Sequence, residues 1–531
     1  MFLTNSDNCF CRCPQINHGF LSDSVKAARL PALILSEDYS ANMKILILNP
    51  PDENVVPEFA DTQGKGFLEA ADFGKFPPLG ALYVLSYVQK VLPHHQYLLL
   101  DCVGEDISHA ELGKRIHDFS PDVVGFTSFT ISLIDVIKAA ETARQMAPNA
   151  HLCLGGHHPT AFPVESVSLA LFDSVIVGEG EYAFAALLEC LENGGTYGSI
   201  TGLYTSETIH HYIDPNMHDP RFHEFLRVPA AYVENIDLLP PPDRSHIKHI
   251  NYKSIVGLKN KLVTILTSRG CPCKCTFCNV PYKKYRPRNL ELVVDEIETC
   301  LAMGYSEFHL YDDLFNITAK RVEEFCGVLE RRNLNIVWDF RGRVNGITYA
   351  ALARAKAVGL RLISFGVETG TDEGLARLNK GATIAQVEQA FHWCRELGIK
   401  SLADYMIGVP TEKCEDDVRR NIDYLIQLDP DYAQIGILNI YPNTELYTEA
   451  VSLGLIEAGR WEAWSRNPQP GFRVDHWNEF LSDQELVRLH RESYRRFYFR
   501  PRYILKRIFE LNSFHELRSN IIGAVKLLIK K

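Results

Sequence analysis

The sequence predicts an α/β protein: a doubly wound parallel sheet, then a partial (β/α)6 barrel, then a small helical C-terminal region. Three observations carry this. Short apolar runs of strand length alternate with segments of helical periodicity, the pattern that builds parallel sheets. The alternation is interrupted around Pro240-Pro241-Pro242, where neither a helix nor an inner strand can continue. Glycines, hydroxyls, cysteines and carboxylates cluster directly after the apolar runs, where such sheets bind ligands.

In the first repeat, apolar runs at 45–48, 97–100, 123–127, 151–154 and 174–177 read as strands, with helices at 79–92, 107–119, 133–146 and 183–191. Strand ends carry Gly125-Phe126-Thr127-Ser128-Phe129-Thr130, then Gly155-Gly156-His157-His158, then Gly178-Glu179-Gly180-Glu181. Glycines let a backbone approach a flat ligand, and Ser128 and Thr130 offer hydrogen bonds to its edge. His157 and His158 read equally as ligand contacts and as a solvated loop pair.

In the second repeat, strands are expected at 262–266, 307–311, 336–340, 361–367, 400–406 and 432–437, with helices at 290–303, 319–332, 349–358, 383–397 and 416–428. The first of these strands runs into Gly270-Cys271-Pro272-Cys273-Lys274-Cys275-Thr276-Phe277-Cys278. The spacing C-x3-C-x2-C puts three thiolates on one short loop, enough for three corners of a cubane iron–sulfur cluster. A zinc knuckle needs a second C-x2-C pair, and none follows. Cys273 reads as a neighbour outside the ligand set. Later strand ends carry Tyr311-Asp312-Asp313, Arg341 with Arg343, Gly366-Val367-Glu368-Thr369-Gly370, and Gly408-Val409-Pro410-Thr411-Glu412.

The cysteine motif, with the aromatic Phe277 before its third cysteine, resembles the radical S-adenosylmethionine (SAM) superfamily. The first repeat, with its Gly-Gly and Gly178–Glu181 turns upstream of that motif, resembles the cobalamin-binding domain of the cobalamin-dependent branch. The resemblance implies a Rossmann-like cobalamin domain and a TIM-like barrel. It implies a [4Fe-4S] cluster on Cys271, Cys275 and Cys278. It implies SAM near Phe277, Asp312, Asp313, Arg341, Glu368 and Gly408, with Gly408 cradling the adenine. It implies cobalamin against Ser128, Thr130, Gly155, Gly156, Gly178 and Glu179. Asp312 and Asp313 read alternatively as a cation site or a helix cap. Many cobalamin domains carry D-x-H-x-x-G after the first strand, but Pro50 to Gly80 contains no histidine, so cobalt is expected to lack that ligand. The implied activity is methylation of an unactivated carbon or phosphorus centre of a small molecule. Radical oxidation or ring formation is the alternative, and a cluster-based redox sensor the reading from another class. An external electron donor such as flavodoxin or ferredoxin is implied as partner.

Composition agrees with a multi-domain cytoplasmic enzyme: 46% apolar and 23% charged residues are ordinary for globular chains. The net charge of −11 argues against a nucleic-acid-coating surface. Fourteen cysteines in 531 residues do not form a disulfide framework. The expected division is a disordered leader at 1–42, a cobalamin domain at 43–190, a linker region at 191–255, a barrel at 256–470 and a helical region at 471–531. In the leader, Cys9, Cys11 and Cys13 are a weaker metal candidate. From Arg500 to Lys531 eight Lys and Arg face two acids, and the last residues are apolar and basic. A helix packed on the barrel is favoured there, with weak membrane-surface contact as the alternative.

Overall fold

The computed structural model describes residues 42–56, 74–212, 228–254, 257 and 261–509. The expectations for the leader, its three cysteines and the last 22 residues, 510–531, lie outside these.

The first sheet holds β1 (Lys44–Asn49), β2 (Gln96–Asp101), β3 (Val123–Ser128), β4 (His151–Gly156), β5 (Ser174–Ile176) and β6 (Leu203–Tyr204), in the order β2-β1-β3-β4-β5-β6. The first five run parallel, and β6 is antiparallel to β5. Leu46, Leu48, Val124, Phe126, Leu152 and Leu154 face one side, packed with α2 (His109–Phe119) and α3 (Leu133–Met146). Ile45, Ile47, Val123 and Ile176 face the other, under α1 (Leu79–Val91) and α4 (Gly180–Asn193). Both faces are covered, so the strands read as unbroken apolar runs. The strand order reverses at β1, between β2 and β3, which places the ligand crevice at its carboxyl end.

The second sheet runs β12-β11-β10-β9-β8-β7, all parallel: β7 (Leu262–Ile265), β8 (Glu307–Leu310), β9 (Val337–Gly342), β10 (Leu360–Glu368), β11 (Lys400–Ile407) and β12 (Tyr432–Ile437). Between them lie α5 (Leu290–Ala302), α6 (Ala319–Arg331), α7 (Tyr349–Ala357), α8 (Ile384–Leu397) and α9 (Glu415–Leu428). Thr318, Thr348 and Thr383 accept from backbone amides to start α6, α7 and α8, a capping signal visible in the sequence. Trp338, Phe308, Phe340 and Phe365 fill the layer under the helices.

β12 is an edge, and its peptide groups are met by α10 (Asp483–Tyr498). Ile435 N donates to Tyr494 Oη at 3.1 Å, Ala433 N to Tyr498 Oη at 3.0 Å, and His490 Nε2 lies 2.8 Å from Ile435 O. The C-terminal helix thereby closes an open sheet edge. Beyond it, α11 (Pro501–Phe509) leaves Leu505 and Phe509 exposed. Trp461, Trp464 and Trp477 are core residues, as aromatics usually are.

Candidate functional site

The cysteine loop leaves the sheet just after β7. Ser268 and Arg269 pair antiparallel with Pro287 and Arg286, so a two-residue ladder closes its base. Gly270 has φ +83°, and a Cβ there would stand 2.3 Å from Lys284 O, so only glycine fits. Within the loop, Cys271 N donates to Tyr282 O at 3.0 Å and Cys278 N to Cys275 O at 3.1 Å. All four cysteines from 271 to 278 are half-buried. Cations surround them: Arg343 Nη1 lies 3.5 Å from Cys275 Sγ, and Lys380 and Lys283 act on Cys273 and Cys278. The Cys271 thiol donates to Cys273; with Arg343 and the lysines this pulls Cys273 down to about 6, while Cys271 is pushed up. Burial pushes Cys278 up. Half-exposed thiols in a cationic setting suit thiolate ligation of a cluster.

Asp312 and Asp313 brace this loop. Asp312 is buried and accepts from Thr267 N (2.7 Å), Thr267 Oγ1 (2.6 Å) and Ser268 Oγ (2.6 Å). Asp313 accepts from Gly270 N at 2.9 Å. The Asp312 side chain thus supports the loop. The helix-cap alternative fails, since Thr318 caps α6.

At the barrel mouth a cavity of about 500 Å3 opens among Phe277, Arg341, Glu368, Asp404, Gln434 and Asn439. Glu368 ends β10 with φ +69°, a strained conformation, and, two residues on, Gly370 N donates to Asn421 Oδ1 at 2.6 Å. Its carboxylate accepts from Lys380 Nζ, so Lys380 supplies the cation that a buried Glu requires. Burial raises the Asp404 carboxyl to about 6, with Arg341 pulling it down and Glu368 pushing it further up. Asp404 Oδ1, Gln434 Oε1 and Asn439 Oδ1 are buried without a hydrogen-bond partner. Three orphan acceptors in one cavity await a donor-bearing ligand, and SAM carries an ammonium, an amino group and ribose hydroxyls. Arg341 faces this cavity, its guanidinium 5.9 Å from the Tyr311 ring centre, whereas Arg343 turns to the cysteines. Gly408 directly follows β11. Its N–H goes to Glu412 Oε2 at 2.6 Å, and a Cβ there would lie 2.9 Å from Leu486.

The carboxyl ends of the first sheet are built differently. Ser128 Oγ donates to Gly155 O at 2.7 Å, and Thr130 Oγ1 lies 3.2 Å from His158 Nδ1. Gly156 has φ +100°, and a Cβ would meet Ser128 N and O at 2.6 Å. Gly178 N donates to Thr160 Oγ1 at 3.1 Å. The two histidines separate: His158 is fully buried, and burial pushes it down to about 3. His157 is exposed and stacks on Phe129, centroids 4.9 Å apart and planes 12° apart. Phe129, itself 53% exposed, offers with His157 a flat face beside the Gly155-Gly156 backbone, suited to a macrocycle. The Glu179 carboxylate is bound by Arg286.

Sequence reasoning missed Lys380, Asp404 and Gln434. Asp404 and Gln434 did leave a signal, as polar residues inside otherwise apolar strands. Lys380 left none, because the turn that carries it follows a short helix.

Two family models match the chain: the B12 binding domain over residues 70–188 and the radical SAM superfamily over residues 265–425. An uncharacterized methyltransferase of Pyrococcus horikoshii is 29% identical over 89% of this chain and 96% of its own length. The anaerobic magnesium-protoporphyrin IX monomethyl ester cyclase of Rubrivivax gelatinosus is 26% identical over 71% of this chain, which spans 66% of that relative. Among solved structures, the cobalamin-dependent SAM radical enzyme OxsB, with aqua-cobalamin and SAM bound, superposes with a TM-score of 0.66 at 17% identity. That likeness covers 92% of this chain and 72% of OxsB, and it shows the shared fold. The chain thus carries a B12-binding domain followed by a radical SAM domain, and it is a radical SAM enzyme with a [4Fe-4S] cluster, SAM and cobalamin as cofactors.

Proposed function

We propose that this enzyme methylates an unactivated carbon or phosphorus centre of a small molecule. The observation that carries the reading is one of placement. The cysteine loop and the polar cavity share the barrel mouth, and the Gly178–Glu181 turn of the B12-binding domain pairs with the base of that same loop. When bound, the cluster and cobalamin supply one-electron cleavage of SAM and a transferable methyl group.

In this reading Cys271, Cys275 and Cys278 hold the cluster and Cys273 stays outside the ligand set. Glu368 with Lys380 meets the charged end of SAM, and Arg341 its carboxylate. Asp404, Gln434 and Asn439 accept from SAM or substrate, and Phe277 walls the cavity. Ser128, Thr130, Gly155, Gly156 and Gly178 shape the first-domain strand ends, where Phe129 and His157 face the corrin. The expected domain limits, 43–190 and 256–470, follow the same reading.

The cyclase relative supports a second reading, radical oxidation or ring formation at the same site. Flavodoxin or ferredoxin is the proposed electron donor. Unpaired thiols at all eleven described cysteines support a cytoplasmic setting. No described helix is long and apolar enough to cross a membrane, and exposed Leu505 and Phe509 support at most surface contact.

The test is anaerobic reconstitution with iron, sulfide, cobalamin and a reductant, then SAM, read by mass spectrometry. Both 5′-deoxyadenosine and S-adenosylhomocysteine are expected. Bound corrin with deoxyadenosine alone, when substrate candidates are supplied, would move the weight to oxidation or cyclisation. No deoxyadenosine from protein with a full cluster would sink both readings.

A further inference from the structure

The turn Gly178-Glu179-Gly180-Glu181 ends the first sheet, yet both its carboxylates serve the second domain. Glu179 accepts from Arg286 Nη1 at 2.7 Å and Nη2 at 2.8 Å, and from Val233 N at 2.7 Å. Its Oε1 also lies 3.2 Å from Arg269 Nη1. Glu181 accepts from Arg269 Nη2 at 2.6 Å. Arg269 and Arg286 are register partners in the ladder at the base of the cysteine loop. The chain therefore leaves for Cys271 beside one clamped arginine and returns through the other.

A second brace runs parallel to the first. The Arg269 guanidinium lies 4.9 Å from the Tyr83 ring centre, and Arg288 Nη1 donates to Tyr83 Oη at 3.1 Å and to Glu296 at 2.7 Å. Tyr83 belongs to α1 of the first domain, and Arg288 follows the ladder directly. The turn itself cannot drift: Gly178 has φ +102°, a Cβ there would stand 2.3 Å from Ala231 O, and Glu179 N donates to that same oxygen at 3.0 Å.

Two cations and two carboxylates balance here, with Glu181 and Arg286 each 3% or less exposed. Buried pairs of this kind add little net stability but fix geometry, and the forked guanidinium of Arg286 admits one arrangement against Glu179. Asp312 and Asp313 brace the start of the cysteine loop from within the barrel, whereas Glu179 and Glu181 tie its two ends to the first domain. Its position relative to the first domain is set where its two ends are clamped.

We propose that Glu179 and Glu181 are positioning residues that hold the cysteine loop, and so the cluster, at a fixed separation from the corrin of the B12-binding domain. The proposal rests on the cofactor placement of the preceding section. The two can fail separately: wild-type protein that takes up no cluster or no corrin defeats that placement, whatever the clamp does.

The test uses full-length reconstituted protein and needs no substrate. Reduced to cob(II)alamin, the corrin carries an unpaired spin, and a reduced [4Fe-4S] cluster nearby speeds its relaxation steeply with decreasing distance. Electron paramagnetic resonance therefore reads the separation of the two cofactors. The double variant Glu179→Gln/Glu181→Gln is expected to keep iron and corrin content while the relaxation enhancement falls several-fold or spreads into a broad distribution. Glu234→Gln breaks only the exposed pair of Glu234 with Lys284 in the same loop, and should leave the enhancement as in wild type. The variant Glu179→Gln/Arg286→Gln removes both charges together, so no buried charge is left uncompensated. It is expected to hold both cofactors and still show the reduced enhancement. Wild-type enhancement in the two double variants, with cofactors retained, overturns the proposal. So does loss of the cluster in both, which would assign these residues to folding the loop alone.

Discussion

The barrel mouth and the first-domain strand ends are built by opposite means. In the barrel, charged and amide side chains project into a cavity of about 500 Å3, some paired and some with orphan acceptors. In the first domain the hydroxyls bond to their own neighbours and the glycines present bare backbone, leaving mainly the Phe129–His157 stack exposed. A small charged ligand is gripped by side chains, whereas a flat macrocycle needs side chains out of its way. Substitutions should therefore damage the barrel by removing groups and the first domain by adding them.

The largest effect belongs to the cysteines. Cys271→Ala, Cys275→Ala or Cys278→Ala should abolish the cluster, measured as iron and sulfide per protein, while Cys273→Ala keeps it. Equal loss in Cys273→Ala would overturn the ligand assignment. Corrin uptake should survive all four, because none of these four cysteines belongs to the first domain. Next comes Glu368→Gln, which leaves Lys380 as a buried cation without its carboxylate. Breaking such a pair costs about 3–5 kcal/mol, and SAM binding by calorimetry should fall below detection with the cluster still present.

Adding an atom tests the other side. Gly156→Ala puts a methyl group 2.6 Å from Ser128 N and O in a backbone with φ +100°. Strain of that kind costs about 1–3 kcal/mol, and corrin binding should fall while cluster content is unchanged. At the neighbouring Gly155 the nearest atom to an added Cβ is 3.6 Å away, so Gly155→Ala should fold normally. Any loss of corrin there would come from crowding the ligand alone. Equal corrin affinity in both variants would remove Gly155-Gly156 from the corrin site.

The same contrast decides what the sequence could reveal. All eleven expected strands are present, because strands buried on both faces appear as uninterrupted apolar runs. The strands that escaped, among them β6 and the ladder of Ser268–Arg269 with Arg286–Pro287, have two residues each and pair antiparallel, too short for any periodicity. The cysteine triad was legible because its spacing is local. Glu179 and Asp312 sit where ligand contacts are expected, and nothing local distinguishes a carboxylate bound for a cofactor from one bound for another loop. Their partners, Arg286 and Thr267, lie 107 and 45 residues away. Lys380 was missed although Glu368 is only 12 residues away, because the turn that carries it has no pattern of its own. His157 and His158 could not be told apart until the turn fixed which ring points inward.

The smallest effect sets the two sites against each other in pH. Asp404 has its folded-state value raised to about 6 from an ordinary 3.8, because burial disfavours the carboxylate. The folded protein therefore takes up this proton before the unfolded chain does. Going from pH 7 to pH 5 should stabilise the fold through Asp404 by about 1 kcal/mol. His158 is held at about 3 against an ordinary 6.5, again by burial. Here the unfolded chain takes up the proton first, so the stability this neutral ring contributes is full above pH 6.5 and is lost as pH falls towards 3. Over the same interval His158 should cost about 2 kcal/mol. Urea unfolding midpoints at several pH values separate the two. Asp404→Asn should steepen the loss of stability on acidification, and His158→Asn should flatten it. Parallel curves for both variants would mean that neither group titrates with the fold, and that burial does not govern the two sites in opposite directions.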